Sequence, residues 1–247
     1  MNRLLRRAGG PAPDEMTLTE HLAELRQRLL ICLAVFVLAA IASYALYPQI
    51  INFLRHPLCH ADPQHCSLYV TAPLDAFGFR LDAMGLGGAL LASPVILYHL
   101  WRFVTPGLKT NERRYAIPFV LASLALFAFG VFVAWLTLPH ALAFLLHQGG
   151  PGVKPLLQAN RYLSLVIALL AIFGLTFEFP VVLVGLELAG AVRPAQLAKS
   201  RRIAIIAIVV IAAVVTPSSD PFSMLALAVP LLVFYEASIV LGRLLKP

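Results

Sequence analysis

Three carboxylates stand where an acid is costly or waits for a partner: Glu24, Glu112 and Glu178. Glu178 lies inside the longest apolar run of the chain and is followed by Pro180. An acid at the centre of a membrane-spanning helix costs on the order of 3 kcal/mol on insertion scales, so it turns toward a cavity or a partner. One reading makes Glu178 an acid hydrogen-bonded inside a helical bundle, to Thr176 or to a neighbouring helix; the other makes it a proton or ion site. Glu24, in ELRQR, and Glu112, in NERR, each sit beside an apolar run and among cations. Fixed carboxylates there can each take a guanidinium in a bidentate charge-assisted bond, which suits a ligand with adjacent arginines. The plainer chemistry is local: Glu24 pairs with Arg28 at i,i+4, and Glu112 meets the positive end of a helix dipole. Spacing alone favours the plainer chemistry for both.

A second cluster, Cys59, His60, His65 and Cys66, has the residue types of a metal site. An oxidising compartment favours a Cys59–Cys66 disulfide over two free thiols, and either over a metal. Cys32 reads as an ordinary residue of an apolar helix. No Gly-rich phosphate loop, HExxH or nucleophile elbow occurs, so neither catalytic residues nor a cofactor is expected.

The elements that must position these groups are membrane helices. Apolar residues make up 60% of the chain and charged ones 13%, with a mean hydropathy of +0.84. Soluble domains run at roughly 45–50% and about 25%. The periodicity and length of the apolar runs predict one all-α polytopic membrane domain over 1–247, with six spans at about 29–47, 83–101, 116–138, 162–192, 203–216 and 222–241. The fifth and sixth are short, and no internal repeat is evident. Residues 1–28 form a segment in which Thr17 and Glu20 fit a capping box and Leu18, Leu22, Leu25 and Leu29 recur at helical spacing. This predicts an amphipathic helix that runs into the first span. The first external connection, to about Asp82, is long enough to be a structured cap; the second begins near Pro139.

Charge sets the expected orientation. Of the 19 Lys and Arg residues, only Arg55, Arg80, Lys154 and Arg161 fall in the alternate connections. The positive-inside rule then places both termini and the 101–115 stretch, WRFVTPGLKTNERRY, in the cytoplasm. The net charge of +7 is accounted for by topology and anionic lipid, without nucleic acid.

Several blocks of sequence fall together in one order: HLAELRQRL from His21, SPVILYHLWRFVTPGL from Ser93, ERR from Glu112, FGLTFEFPVVL from Phe173 and TPSSDPFSMLALAVPLLVFYE from Thr216. With six spans around them, the chain resembles the TatC family, the multi-spanning subunits of twin-arginine (Sec-independent) protein translocases. The resemblance covers nearly the whole chain. It implies a receptor in the bacterial cytoplasmic membrane that recognises twin-arginine signal peptides of folded cargo and exports it with the proton gradient. The implied partners are single-span TatA and TatB type subunits, membrane lipid and further copies of the chain.

Carried over by motif, the resemblance implies that Glu24, Arg26, Phe103 and Glu112 bind the signal peptide. It also implies that Glu178 is the family's intramembrane acid, and that Pro57 and Asp220 are structural or partner-contact positions. Ser218 and Ser219 stand where a second proline is common, and Met224 replaces a frequent amide. The rival expectation is a secondary transporter with Glu178 as its ion site.

Overall fold

Small residues bring the first two long helices together. In the computed structural model, which describes residues 18–63, 67–104, 116–148, 150, 156–188, 190–218 and 220–245, α1 (Leu18–Ala45) lies along α3 (Pro73–Val104). A Cβ on Gly88 would stand 2.8 Å from the Ala40 backbone, so the helices approach more closely than any larger side chain would allow. Such small-residue seams are how helices associate where lipid removes the hydrophobic drive. Leu22, Leu25, Leu29 and Leu33 of α1 are exposed, the surface expected of a helix facing acyl chains. α1 is one unbroken helix from Leu18, so the leucine stripe continues straight into the apolar run. Thr17 lies outside the described residues.

Between them α2 (Tyr47–Ala61) builds the cap expected in the first long connection. Leu54, Pro57 and Leu58 are its buried face, and Phe53 stacks flat on Trp135 of α4 (Ala116–His147) with ring centroids 3.7 Å apart. The Tyr162 hydroxyl of α5 (Ala159–Thr176) donates to the Leu54 carbonyl at 2.5 Å, and an isolated parallel bridge joins Tyr69 to Gln158. The two long connections are thereby fastened to each other. α3 starts well before the expected 83. Arg80 lies over the rings of Tyr44 (4.5 Å) and Tyr47 (4.8 Å), a cation–π contact that ties the early part of α3 to the α1–α2 junction.

Where the helices end departs from the sequence reading for identifiable reasons. α4 continues through Pro139, because Ala141 and Leu142 beyond it are buried in the core and hold the extra turns. The run 162–192, expected as one span, is two helices: α5 ends at Thr176 and α6 (Phe179–Leu188) begins after a break at Phe177 and Glu178. Pro180 has no N–H to return to the preceding turn, which interrupts the ladder there. α6 stops at Leu188, short of 192, with Gly190 at φ 77 just beyond, the left-handed residue that closes many helices. α5 is the central helix, with Tyr162, Leu163, Val166, Leu169, Leu170 and Phe173 all in the core.

After α7 (Pro194–Lys199) comes α8 (Arg201–Val215), whose 15 residues span ~22 Å, so the fifth crossing is short as expected. The sixth is not. α9 (Pro221–Leu245) has 25 residues, because Asp220 and Pro221 start it early and Glu236 and Arg243 remain helical at its far end. α8 and α6 both lean on α9, and the Tyr235 hydroxyl donates to the Leu197 carbonyl at 2.8 Å. Among the described residues five candidate crossings are long and apolar enough by composition: Leu22–Ala45, Pro73–Phe103, Ile117–His147, Ala159–Leu188 and Pro221–Leu244. The short α8 is the sixth.

Candidate functional site

The start of α1 and the end of α3 meet at one end of the bundle and carry the first cluster. Arg28 donates to Glu24 one helical turn earlier, and its guanidinium lies 5.9 Å from the centre of the Phe103 ring. The pair is largely withdrawn from the surface, with side-chain exposures of 12% for Arg28 and 25% for Glu24, so it is screened less than an exposed ion pair. Arg28 thus links Glu24, on the first helix, to Phe103, on the second. Arg102 reaches back to the Tyr98 hydroxyl at 3.2 Å. Arg26 is exposed and borders a shallow concavity with Glu24, Gln27 and Leu30. Glu112 lies outside the described residues.

A second cluster forms at the α5–α6 break. Glu178 is 8% exposed and accepts a hydrogen bond from the Ser123 hydroxyl of α4 at 2.6 Å, with the Trp101 side chain of α3 beside it. A neighbouring helix, rather than Thr176, therefore supplies the bond. Trp101 packs on Phe119 with centroids 5.4 Å apart and stands two residues before Phe103, so the same helix end serves both clusters. Beside it an apolar groove of about 300 Å³ runs between α4, α6 and α9, bordered by Phe119, Ala122, Leu126, Pro180, Val184 and Leu241.

The remaining candidates occupy structural positions. Asp220 is fully buried. It accepts the Ser223 backbone N–H at 2.7 Å and the Ser218 hydroxyl, which makes it the N-terminal cap of α9. Asp220→Ala is expected to lower stability by about 1 kcal/mol, the usual cost of a lost cap, with a correspondingly earlier melting transition in detergent. Pro57 is buried within α2. Cys59 is disulfide-bonded, and His65 and Cys66 lie outside the described residues. Among the described residues no three metal-ligating side chains come together. Glu187 is only 1% exposed. Its carboxylate is pressed on Gly242, where a Cβ would stand 2.0 Å from Oε2, so it is a packed interior group and not one that reaches out to water. Glu236 pairs with Arg201 at 2.7 Å near the surface.

Sequence reasoning missed three of these side chains: Trp101, Ser123 and the bridging role of Arg28. Ser123 left a usable signal, being one of two hydroxyl residues in the run 116–138.

Such an arrangement defines a class: a polytopic helical membrane protein with a charged pocket at one end and one acid held at the break of a spanning helix. Residues 20–230 match the family described as TatC, Sec-independent protein translocase protein. The chain belongs to the TatC family.

It is 44% identical over 242 residues to the Sec-independent protein translocase protein TatC of Frankia casuarinae, covering 94% of this chain and 66% of that one. With the TatC of Aquifex aeolicus it shares 38% identity over 93% of this chain and 95% of the other. The chain thus spans about two thirds of the longer Frankia relative and nearly all of the shorter one. A crystal structure of a twin arginine translocase receptor, TatC, superposes with a TM-score of 0.74 at 36% identity, over 92% of this chain and 100% of that one.

Proposed function

We propose that this chain is the receptor and core subunit of a twin-arginine protein translocase. In this reading it binds twin-arginine signal peptides at the cytoplasmic face and passes folded cargo across the bacterial cytoplasmic membrane at the expense of the proton gradient. The observation that carries the reading is the pocket in which Glu24 and Phe103, from two different helices, meet around one guanidinium, that of Arg28. A pocket that already accommodates an arginine by an ion pair and a ring face has the chemistry to bind a ligand's arginine. Glu24 and Glu112 take the two guanidiniums, Arg26 orients the peptide backbone, and Phe103 packs against the turn.

The apolar stretch that follows an arginine pair in such a peptide lies in the groove beside Phe119 and Pro180, close to Glu178. Both termini face the cytoplasm, as the distribution of cations supports. Single-span TatA and TatB type subunits and further copies of the chain complete the complex. Pro57 and Asp220 hold the outer ends of the helices these partners meet. The ~22 Å of α8, against a ~30 Å hydrocarbon core, thins the bilayer beside them.

The test is a pull-down with an immobilised twin-arginine signal peptide and its double-lysine variant. The purified chain is expected on the arginine peptide and not on the lysine one. Equal retention on both, or none on either, ends the receptor reading.

A further inference from the structure

Three buried polar atoms at the α1–α3 end have no hydrogen-bond partner among the described residues: Oε2 of Glu24, Nη1 of Arg28 and Nδ1 of His99. All three side chains border one cavity of about 160 Å³, together with Gln27, Ile31 and Arg102. Buried polar atoms are nearly always bonded, so three in one cavity call for an occupant that supplies the bonds.

The chemistry of the rim narrows the occupant. Arg28 occupies Oε1 of Glu24, which leaves the second carboxylate oxygen for the cavity. His99 offers Nδ1 as an acceptor when its proton sits on Nε2. The site therefore presents two acceptors, Glu24 Oε2 and His99 Nδ1, beside a cation already fixed by its partner; Arg28 Nη1 is a donor that no guanidinium can satisfy and is left for a water or a carbonyl of the bound peptide. A planar guanidinium carries five N–H donors in a rigid fork and can address both acceptors at once. An ammonium is a compact, strongly hydrated point charge and fits that pair less well. Guanidinium planes also stack, so an incoming arginine can lie against Arg28 and the Phe103 face that holds it.

We propose that His99 is a specificity-determining residue of arginine recognition: its Nδ1 and Glu24 Oε2 together accept one guanidinium of the twin-arginine pair. This rests on the receptor reading above and adds to it the discrimination of arginine from lysine. His99 stands one helical turn before Phe103, on the face that α3 turns toward α1.

The experiment measures binding of a twin-arginine peptide and its double-lysine variant to the full chain in detergent, for the wild type, His99→Leu and His99→Gln. His99→Leu is expected to weaken the arginine peptide on the order of tenfold and to leave the lysine peptide unchanged, so the ratio of affinities collapses. His99→Gln retains an acceptor and keeps most of that ratio. If His99→Leu leaves the ratio intact while Glu24→Gln weakens the arginine peptide, the inference is overturned and the receptor reading stands, the cavity holding water only. If the wild type binds neither peptide, it is the receptor reading that fails. Site-resolved diethyl pyrocarbonate labelling of the wild type covers a His99→Leu chain that does not fold. The arginine peptide should protect His99 and the lysine peptide should not; equal labelling with both overturns the proposal.

Discussion

Glu24→Gln is expected to weaken the binding of a twin-arginine peptide by about 10- to 100-fold, the equivalent of the ~1.5–3 kcal/mol carried by a hydrogen bond to a charged group. Gln keeps the length and one acceptor oxygen, so what it removes is the charge. That matters here because the carboxylate lies in a partly enclosed pocket. The same pair on an exposed face is worth only about 0–1 kcal/mol, and solvent would hide the change. The control is Glu236→Gln, which removes one carboxylate from a pair that is about half exposed at Arg201 and distant in sequence from the pocket. It should leave peptide affinity within error of the wild type. Fluorescence anisotropy with a labelled peptide reads both. Equal affinity for wild type and Glu24→Gln would remove Glu24 from the binding site.

Gly130→Val carries the largest expected structural effect. A Cβ at position 130 would stand 2.7 Å from the Phe173 carbonyl oxygen and 2.9 Å from Phe177, and a backbone oxygen in the last turn of a buried helix, already bonded to the Phe177 N–H, cannot rotate away. α4 and α5 must therefore separate, at the ~1–3 kcal/mol typical of an overpacked core. For a chain of this size that corresponds to a melting point lower on the order of 5 °C. The strain also reaches the acid at the helix break. Ser123 lies two turns before Gly130 on the same face of α4, so a displaced α4 draws its hydroxyl from Glu178. Gly85→Ala is the control, since nothing lies within 4 Å of the position its Cβ would take; its melting point should not fall, and the better helix propensity of Ala should raise it slightly. An unchanged melting point for Gly130→Val would show that the α4–α5 contact is looser than its geometry.

The peptide measurements and the melting curves draw on different layers of the molecule, and those layers were not equally legible beforehand. Apolar runs are a composition signal, and the all-helical class follows from them because unpaired backbone cannot be left in lipid. The short fifth crossing could be counted directly from Ile203 to Thr216. Helix ends were harder, since an end is decided by what the next turn packs against. Pro139 has the look of a terminator in sequence, yet Ala141 and Leu142 find the core and the helix continues. Pro180 lies within an apolar run, yet the ladder breaks just before it. Residue type was the same in both cases: packing of the following turn carried the helix through Pro139, while at Pro180 the missing N–H interrupted it.

The chain by its sequence alone determined its all-helical membrane class and the family to which its motifs are similar. Those properties are sums over residues or local spacings, and need no knowledge of what lies across the bundle. Tertiary structure alone decided which groups meet. Arg28 brings Glu24 and Phe103 together, Ser123 rather than Thr176 bonds Glu178, and Asp220 is consumed as a helix cap. Glu187 is enclosed against Gly242. Each of these depends on side chains far apart in sequence reaching one place. The approach of the helices sets that place, and the approach is governed by the small residues at Gly88 and Gly130.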